Sequence, residues 1–248
     1  MKTILLSALL LATSAWAYKV TGVLAGKQEV LIKSKSQGEI TQIEKKEGTK
    51  VLAGDTLATI DDEQEQIEWK QAAEELKSAK GDYLKTKALK KYVSQEELIK
   101  KRDIYLKKKS IYELKGYNLK NTKITSPIAG VISKKFIKMG ETVSNGAKTF
   151  EVINSENLII EIDVLAEKSK NLKIGRFLSF SSDLHPKKSF KAKITFVAPT
   201  IDKASGTTRL KLELKNNVVH GRYELKPGTL VNVHLKTDRL PASSASSK

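Results

Sequence analysis

The stretch Asp61 to Asn121, DDEQEQIEWKQAAEELKSAKGDYLKTKALKKYVSQEELIKKRDIYLKKKSIYELKGYNLKN, separates two copies of one glycine pattern, and its reading decides the fold. Before it, Gly38 is followed by Gly48, Val51, Gly54, Leu57 and Ile60; after it, Gly130 is followed by Gly140, Val143, Gly146, Phe150 and Ile153. From Gly38/Gly130 to Gly54/Gly146 the two copies keep an offset of 92 residues. Neither copy has enough apolar surface for its own core, so the repeat predicts two β-units packed as one small sandwich. Residues 61–121 then project from that sandwich.

Within the insertion, Trp69, Ala72, Leu76, Ala79, Tyr83, Thr86 and Val93 follow the three-four spacing of a helical seam. Asp62, three before Glu65, resembles a capping box, and Asp61, Glu63 and Glu68 put negative charge at the positive end of the helix dipole. Lys90 and Lys91 sit where the negative end is expected. Ser94-Gln95-Glu96-Glu97 is a second capping box, which starts a second helix at Gln95 and confines the reversal to residues 92–94. Leu98, Tyr105, Tyr112 and Leu119 recur every seven residues, with Ile104 and Ile111 on one flank. The reading is an antiparallel coiled-coil hairpin. Folding it about residue 93 sets Leu89 opposite Leu98, Leu76 near Ile111 and Ile67 near Leu119. It also sets Gly81 near Tyr105 and Gly116 near Trp69, where a missing side chain leaves room for a ring. About 30 residues in the first helix give an arm of roughly 45 Å.

Outward from the hairpin, residues 18–60 read as one or two opening strands and the first β-unit, and residues 122–154 as the second. A third module spans residues 155–237. Leu158–Val164, Phe177–Phe180, Phe190–Val197, Leu210–Leu214 and Val231–Leu235 read as its strands, with a short helix at 166–171, which fits a small barrel. The fold class is α+β, mainly β. Met1-Lys2, the apolar run Ile4–Ala12 and Ala15-Trp16-Ala17 form a signal peptide over residues 1–17, so the mature chain is expected to start at Tyr18. The apolar run falls short of the ~20 residues a membrane-spanning helix needs. The serine-rich end, residues 238–248, reads as a disordered tail.

The chain of 248 residues contains no cysteine, which removes thiol chemistry, disulfides, a lipidated cysteine and cysteine metal sites. His185, His220 and His234 are too far apart in sequence for a local ligand pair, and two methionines do not make a soft-metal relay. No metal or other cofactor is expected. The net charge of +17 is spread along every segment: residues 61–120 hold 15 basic and 12 acidic side chains, residues 121–248 hold 22 and 11. Without one dense basic stripe, and in an exported chain, nucleic acid is not an expected partner. Serines lack a histidine in a nucleophile setting, and the pairs Asp61-Asp62 and Glu96-Glu97 are explained by helix starts, so no enzyme is read.

These residues together resemble a family. Gly38, Gly48, Val51, Gly54, Leu57-Ala58-x-Ile60-Asp61, a heptad hairpin, Thr125-Ser126-Pro127-x2-Gly130-x-Ile132, then Gly140, Val143 and Gly146 look like the membrane fusion proteins, or periplasmic adaptors, of haemolysin D-like and resistance-nodulation-division (RND) efflux systems. Ile174-Gly175, Ile201-Asp202, Thr207-Thr208-Arg209, Asn216 and Leu225-Lys226-Pro227-Gly228 match the marks of the family's barrel. The resemblance covers roughly residues 20–236. It implies a lipoyl-like domain (a barrel-sandwich hybrid) split by the α-helical hairpin and followed by a β-barrel. It further implies a periplasmic, inner-membrane-associated subunit of a tripartite efflux or secretion system. Its partners would be an inner-membrane transporter of RND or ABC type, an outer-membrane channel protein and other copies of itself in a ring, a hexamer being one candidate size. Family members continue past the barrel into a membrane-proximal domain; here the sequence stops shortly after Leu235, so that domain is expected to be absent or minimal.

The resemblance places partner binding at the hairpin tip, on Lys85, Leu89, Tyr92, Val93 and Ser94. There the family often shows an arginine, then a leucine four later and a serine seven beyond that. Lys85, Leu89 and Ser94 depart from it, with lysine for arginine, which loses bidentate hydrogen bonding, and a spacing two shorter. Ser94 also has a purely structural use as a cap. Lys138 and Met139 form a candidate pore loop. The competing functional class is a biotinyl or lipoyl carrier domain of an enzyme complex. Its modified lysine sits at the turn between the β-halves, where this chain carries the hairpin instead.

Overall fold

The computed structural model describes residues 18–235. The signal-peptide and tail expectations lie outside the described residues. In chain order the chain forms β1 (Tyr18–Gly26), β2 (Glu29–Lys33), β3 (Gly38–Ile43), β4 (Lys50–Val51) and β5 (Thr56–Ile60). The hairpin helices α1 (Glu63–Ala88) and α2 (Gln95–Asn121) follow. Then come β6 (Lys123–Thr125), β7 (Gly130–Lys135), β8 (Thr142–Val143), β9 (Lys148–Ile153) and β10 (Asn157–Leu165). The chain ends in α3 (Ala166–Ser169), β11 (Phe177–Ser182), β12 (His185–Val197), β13 (Thr207–Lys215), β14 (Val218–Val219), β15 (Arg222–Tyr223) and β16 (Leu230–Leu235). Residues 28–154 make one compact unit, and residues 18–27 with 155–235 make the other.

The first unit is a sandwich of two four-stranded sheets, ordered β2-β9-β7-β4 and β6-β5-β3-β8. The sequence repeat explains the pairing, because each copy completes the other. Gly48 N–H donates to Ile132 O and Gly140 N–H to Ile40 O; Gly54 N–H donates to Ser126 O and Gly146 N–H to Ser34 O. Acceptor and donor exchange roles at the same offset of 92 residues (40 to 132, 34 to 126), which makes the two copies related by an approximate twofold. Gly48 and Gly140 both hold φ 80°, a left-handed turn that a side chain would strain. Gly130 answers to a different constraint: a Cβ there would lie 2.5 Å from the Ile153 carbonyl oxygen, so only glycine lets β7 approach β9. Ile40, Leu57, Ile60, Ile132, Phe150 and Val152 fill the interior at 1% exposure or less.

The second unit is a closed six-stranded barrel in the order β1-β10-β13-β12-β11-β16. Closure leaves no free edge to recruit another strand. β1, read from sequence as leading into the first β-unit, pairs antiparallel with β10 and β16 and so belongs to the barrel. Its alternation of buried and exposed residues is that of a wall with one apolar face. Leu24, Ile160, Phe180, Ile194, Leu212 and Val233 meet inside, with the Phe180 and Phe190 rings 5.4 Å apart.

Three of the residues that carried the barrel resemblance, Asn216, Asp202 and Arg209, make internal bonds of the barrel unit. Asn216 is buried; its side-chain N–H groups donate to Ser155 O and Leu225 O, and its Oδ1 accepts from Leu225 N–H. Asp202 Oδ1 accepts from Ala204 N–H, Ser205 N–H and Ser205 Oγ, tying the loop before β13. Arg209 grips Asp163 across β10 and β13. His185 bonds to the Glu224 carbonyl and His234 lies 3.4 Å from Ser181 Oγ, which gives both imidazoles strand-linking roles.

The hairpin forms with four departures. The helices are 26 and 27 residues long, so the arm is about 39 to 41 Å, shorter than expected. The reversal takes residues 89–94 rather than 92–94, because Leu89 N–H already turns to Lys85 O and Thr86 O and the next bond is Lys90 N–H to Lys87 O. That is 3₁₀-type tightening at a helix end. Asp62 is the N-cap residue but makes no capping bond; with φ −126° and ψ 11° its backbone is not extended, and its Oδ1 accepts from the Gln66 amide instead. Asp61 Oδ1 accepts from Glu63 N–H in its place. Finally, a Cβ on Gly81 would meet nothing within 4 Å, so no ring sits against it. Tyr105 stacks on Tyr83 at 5.8 Å.

Candidate functional site

The arm is held by a buried seam and by a ladder of ion pairs beside it. Ala72 and Ala79 are buried in the seam, and Trp69 stacks on Tyr112 at 5.6 Å. Gly116 faces Trp69 as expected, since a Cβ there would come within 3.1 Å of the indole nitrogen. Beside the seam runs an ion-pair ladder: Glu68 with Lys115 at 2.5 Å, Glu75 with Lys108 at 2.7 Å and Asp82 with Lys101 at 3.4 Å. The acids recur every seven residues, and so do the lysines. Sequence reasoning followed the apolar heptad and missed this parallel charged one, which was legible at the same spacing.

Lys115 and Lys108 hydrogen-bond to Glu68 and Glu75 and hold both carboxyls below their usual range. A carboxylate with a lowered folded pKa contributes stability that is present above its unfolded value, about 4.3, and is lost as pH falls through the folded value. Acidification below about pH 4 should therefore loosen the arm, read from the fluorescence of Trp69. The Glu68→Gln, Glu75→Gln variant should show a smaller acid response; an unchanged one would remove the ladder as its cause.

At the far end, Ser94 is the N-cap of α2, with extended backbone and its Oγ accepting from Glu97 N–H at 3.1 Å. Ser94→Ala should cost about 0.5–2 kcal/mol locally, visible as faster hydrogen exchange at residues 95–98. Lys85 lies in the last turn of α1. Leu89 is 54% exposed and Tyr92 87%, whereas Val93 is half-buried. The structure thus groups the five tip residues at one reversal but divides them: Leu89 and Tyr92 face solvent, and Val93 and Ser94 build the turn. Lys85, Lys90 and Lys91 make no ion pair among the described residues.

The other candidate, Lys138 and Met139, lies in the β7–β8 connection. Glu141 Oε2 accepts from Lys138 N–H and Glu141 N–H returns to Lys138 O, leaving Met139 73% exposed at the bend. Among the described residues, no helix is long and apolar enough to cross a membrane.

Comparison with known proteins matches this geometry. The family description "RND MFP, barrel-sandwich hybrid domain" fits residues 28–155, which is the sandwich with its hairpin and more than half of the chain. The chain belongs to the RND membrane fusion proteins. A second description, "CusB-like, beta-barrel domain", fits residues 159–239. This membrane fusion protein is similar to multidrug resistance protein MexA of Pseudomonas aeruginosa, 26% identical over 208 residues, covering 77% of this chain and 53% of MexA. It is also similar to multidrug resistance protein MdtA of Pectobacterium atrosepticum, 23% identical over 246 residues, covering 88% of this chain and 58% of MdtA. The chain thus spans about half the length of the relatives it matches. Among solved structures, a MacA–MexA chimera carrying the P. aeruginosa MexA α-hairpin aligns with TM-score 0.75 at 24% identity, over 89% of this chain and 80% of the chimera. The membrane fusion protein Spr0693 of Streptococcus pneumoniae aligns with TM-score 0.68 at 17% identity, over 90% of this chain and all of the other (100%). At those identities the structures speak for the fold. The family does not favour the carrier reading.

Proposed function

We propose that this membrane fusion protein is the periplasmic adaptor of a tripartite efflux or secretion system, bridging an inner-membrane transporter of RND or ABC type to an outer-membrane channel protein without catalysing a reaction itself. The carrying observation is the arm: two helices of 26 and 27 residues project from the sandwich and end in exposed Leu89 and Tyr92. An apolar tip held far from any core gains by being covered by a partner. Similarity to MexA and MdtA, both multidrug resistance proteins, supports export of drug-like compounds as the use. In this reading residues 1–17 direct export and the working chain begins at Tyr18.

The test is in-cell crosslinking followed by purification of the adaptor and mass spectrometry. The expected result is a chain starting at Tyr18 together with one inner-membrane transporter and one outer-membrane channel. A chain that retains Met1, or is recovered with cytoplasmic enzymes, contradicts the assignment.

Copies of the adaptor assemble as a homo-oligomeric ring in this proposal, with the Lys138–Met139 loop facing its axis. Because the chain has no cysteine, Met139→Cys gives a clean probe. Oxidation should yield a disulfide-linked dimer; an oligomeric preparation that yields none removes the loop from the axis.

A further inference from the structure

The two ends of the barrel carry different connections. Strand pairing puts Tyr18 beside Leu235, Leu165 beside Thr207 and Val197 beside Leu210 at one end. That end therefore holds the β10–β11 connection, residues 166–176, and the β12–β13 connection, residues 198–206. Ala166 N–H donates to Gly206 O, which joins the two connections into one rim. The chain passes to the other unit from the opposite end, after Gly26, and returns there before Asn157.

This rim is both apolar and basic. Ile174 is 66% exposed, Phe177 61% and Ile201 56%, and none of them packs in the barrel core. Gly175 N–H donates to Ile194 O and Ile194 N–H to Arg176 O, which carries the β11–β12 pairing on past Phe177. Ile174 is thereby set next to the end of β12, near exposed Phe196. Lys170, Lys173 and Lys203 stand on the two connections and make no ion pair among the described residues. The acids here are engaged: Glu167 with Lys168, Asp163 with Arg209, and Asp202 by the N–H groups of Ala204 and Ser205 and by the Ser205 hydroxyl.

Single exposed apolar residues are ordinary on a protein surface. Four at one end, interleaved with unpaired lysines, have the composition of a membrane-surface contact, where apolar burial and attraction to anionic lipid act together. A protein partner fits less well, because protein interfaces are depleted in lysine. We infer that this rim contacts an anionic phospholipid surface directly. Ile174, Phe177, Phe196 and Ile201 enter the headgroup layer, and Lys170, Lys173 and Lys203 lie at its phosphates. The contact goes beyond the adaptor reading and needs no transporter beside it.

Co-sedimentation of the full chain, as exported from the cell, with lipid vesicles tests it. Binding to vesicles of phosphatidylglycerol with phosphatidylcholine should weaken as salt rises from about 0.05 to 0.5 M, and vesicles of phosphatidylcholine alone should bind far less. Ile174→Ser, Phe177→Ser, Ile201→Ser should bind the anionic vesicles about tenfold or more weakly, and so should Lys170→Glu, Lys173→Glu, Lys203→Glu. Leu184→Ser, Val218→Ser, at exposed positions on connections of the opposite end, should bind as the wild type does. All these side chains are exposed, so circular dichroism should stay unchanged. The emission of Phe177→Trp should shift to the blue on anionic vesicles, which lysine attraction without insertion would not produce. A wild type that ignores anionic vesicles, rim variants that bind like the wild type, or a Phe177→Trp emission that does not move overturns the contact. Rim positions that crosslink in cells to a membrane protein, while the purified chain leaves vesicles unbound, assign the rim to a protein partner and also overturn it. These outcomes leave the adaptor reading standing, and a failure to recover transporter and channel would leave vesicle binding untouched.

Discussion

Cells carrying Leu89→Asp, Tyr92→Asp should export no better than cells lacking the protein, while the purified variant keeps its helical circular dichroism. Leu89 and Tyr92 are 54% and 87% exposed, so a charge there meets water in the free chain and costs the fold little. In a docked assembly the same positions would carry carboxylates into an apolar contact. At about 25 cal/mol per Å², a few hundred Å² covered per tip contributes several kcal/mol before ordering costs, and simultaneous docking of several tips multiplies the loss. Val93 is a poorer choice than the sequence implied. It is half-buried beside the Ser94 cap, so a charge there would disturb the turn as well as the surface. The tip lysines should affect encounter rate and salt dependence more than affinity, so Lys85→Ala is expected to leave most export intact. Normal export by the double variant would remove the tip as a docking surface.

The second large effect is on stability. Phe150 is fully buried on β9, the strand that joins β2 to β7 in the sandwich. Phe150→Ala should cost about 3–5 kcal/mol, a large part of a typical domain's 5–15 kcal/mol. Trp69 is the tryptophan of the same unit, and its fluorescence should show the denaturant midpoint falling without a change in slope. Phe177→Ala is the control: 61% exposed on the barrel, it should shift nothing by more than about 0.5 kcal/mol. Equal effects from the two would mean that the sandwich core is not built around Phe150.

Much of the fold was legible because its signals are periodic. Three glycines and a valine held at one offset announced the interlocked halves, and heptads announced the arm. What escaped was set by backbone geometry or by distant pairing. Asp62 has the right chemistry for a cap but the wrong backbone angles, and Leu89 ends α1 early through bonds no side chain reveals. β1 alternates like any half-buried strand, and nothing in its own residues says that its partners are β10 and β16, far along the chain. Of the candidate site, the sequence grouped five residues that the structure puts at one reversal, but only exposure separates Leu89 and Tyr92 from the turn-building Val93 and Ser94. That Lys33 on β2 and Lys123 on β6 line one groove was invisible for a further reason: the two come together only when both sheets have formed.

The central claim is that the arm's tip meets an outer-membrane channel. The direct measurement is site-specific crosslinking in intact cells from Tyr92→Cys in this cysteine-free chain, with Glu74→Cys on the side of α1 as the reference position. The account predicts an adaptor–channel adduct from Tyr92→Cys and little or none from Glu74→Cys. An adduct from Glu74→Cys with none from Tyr92→Cys, in cells that still export, would contradict it.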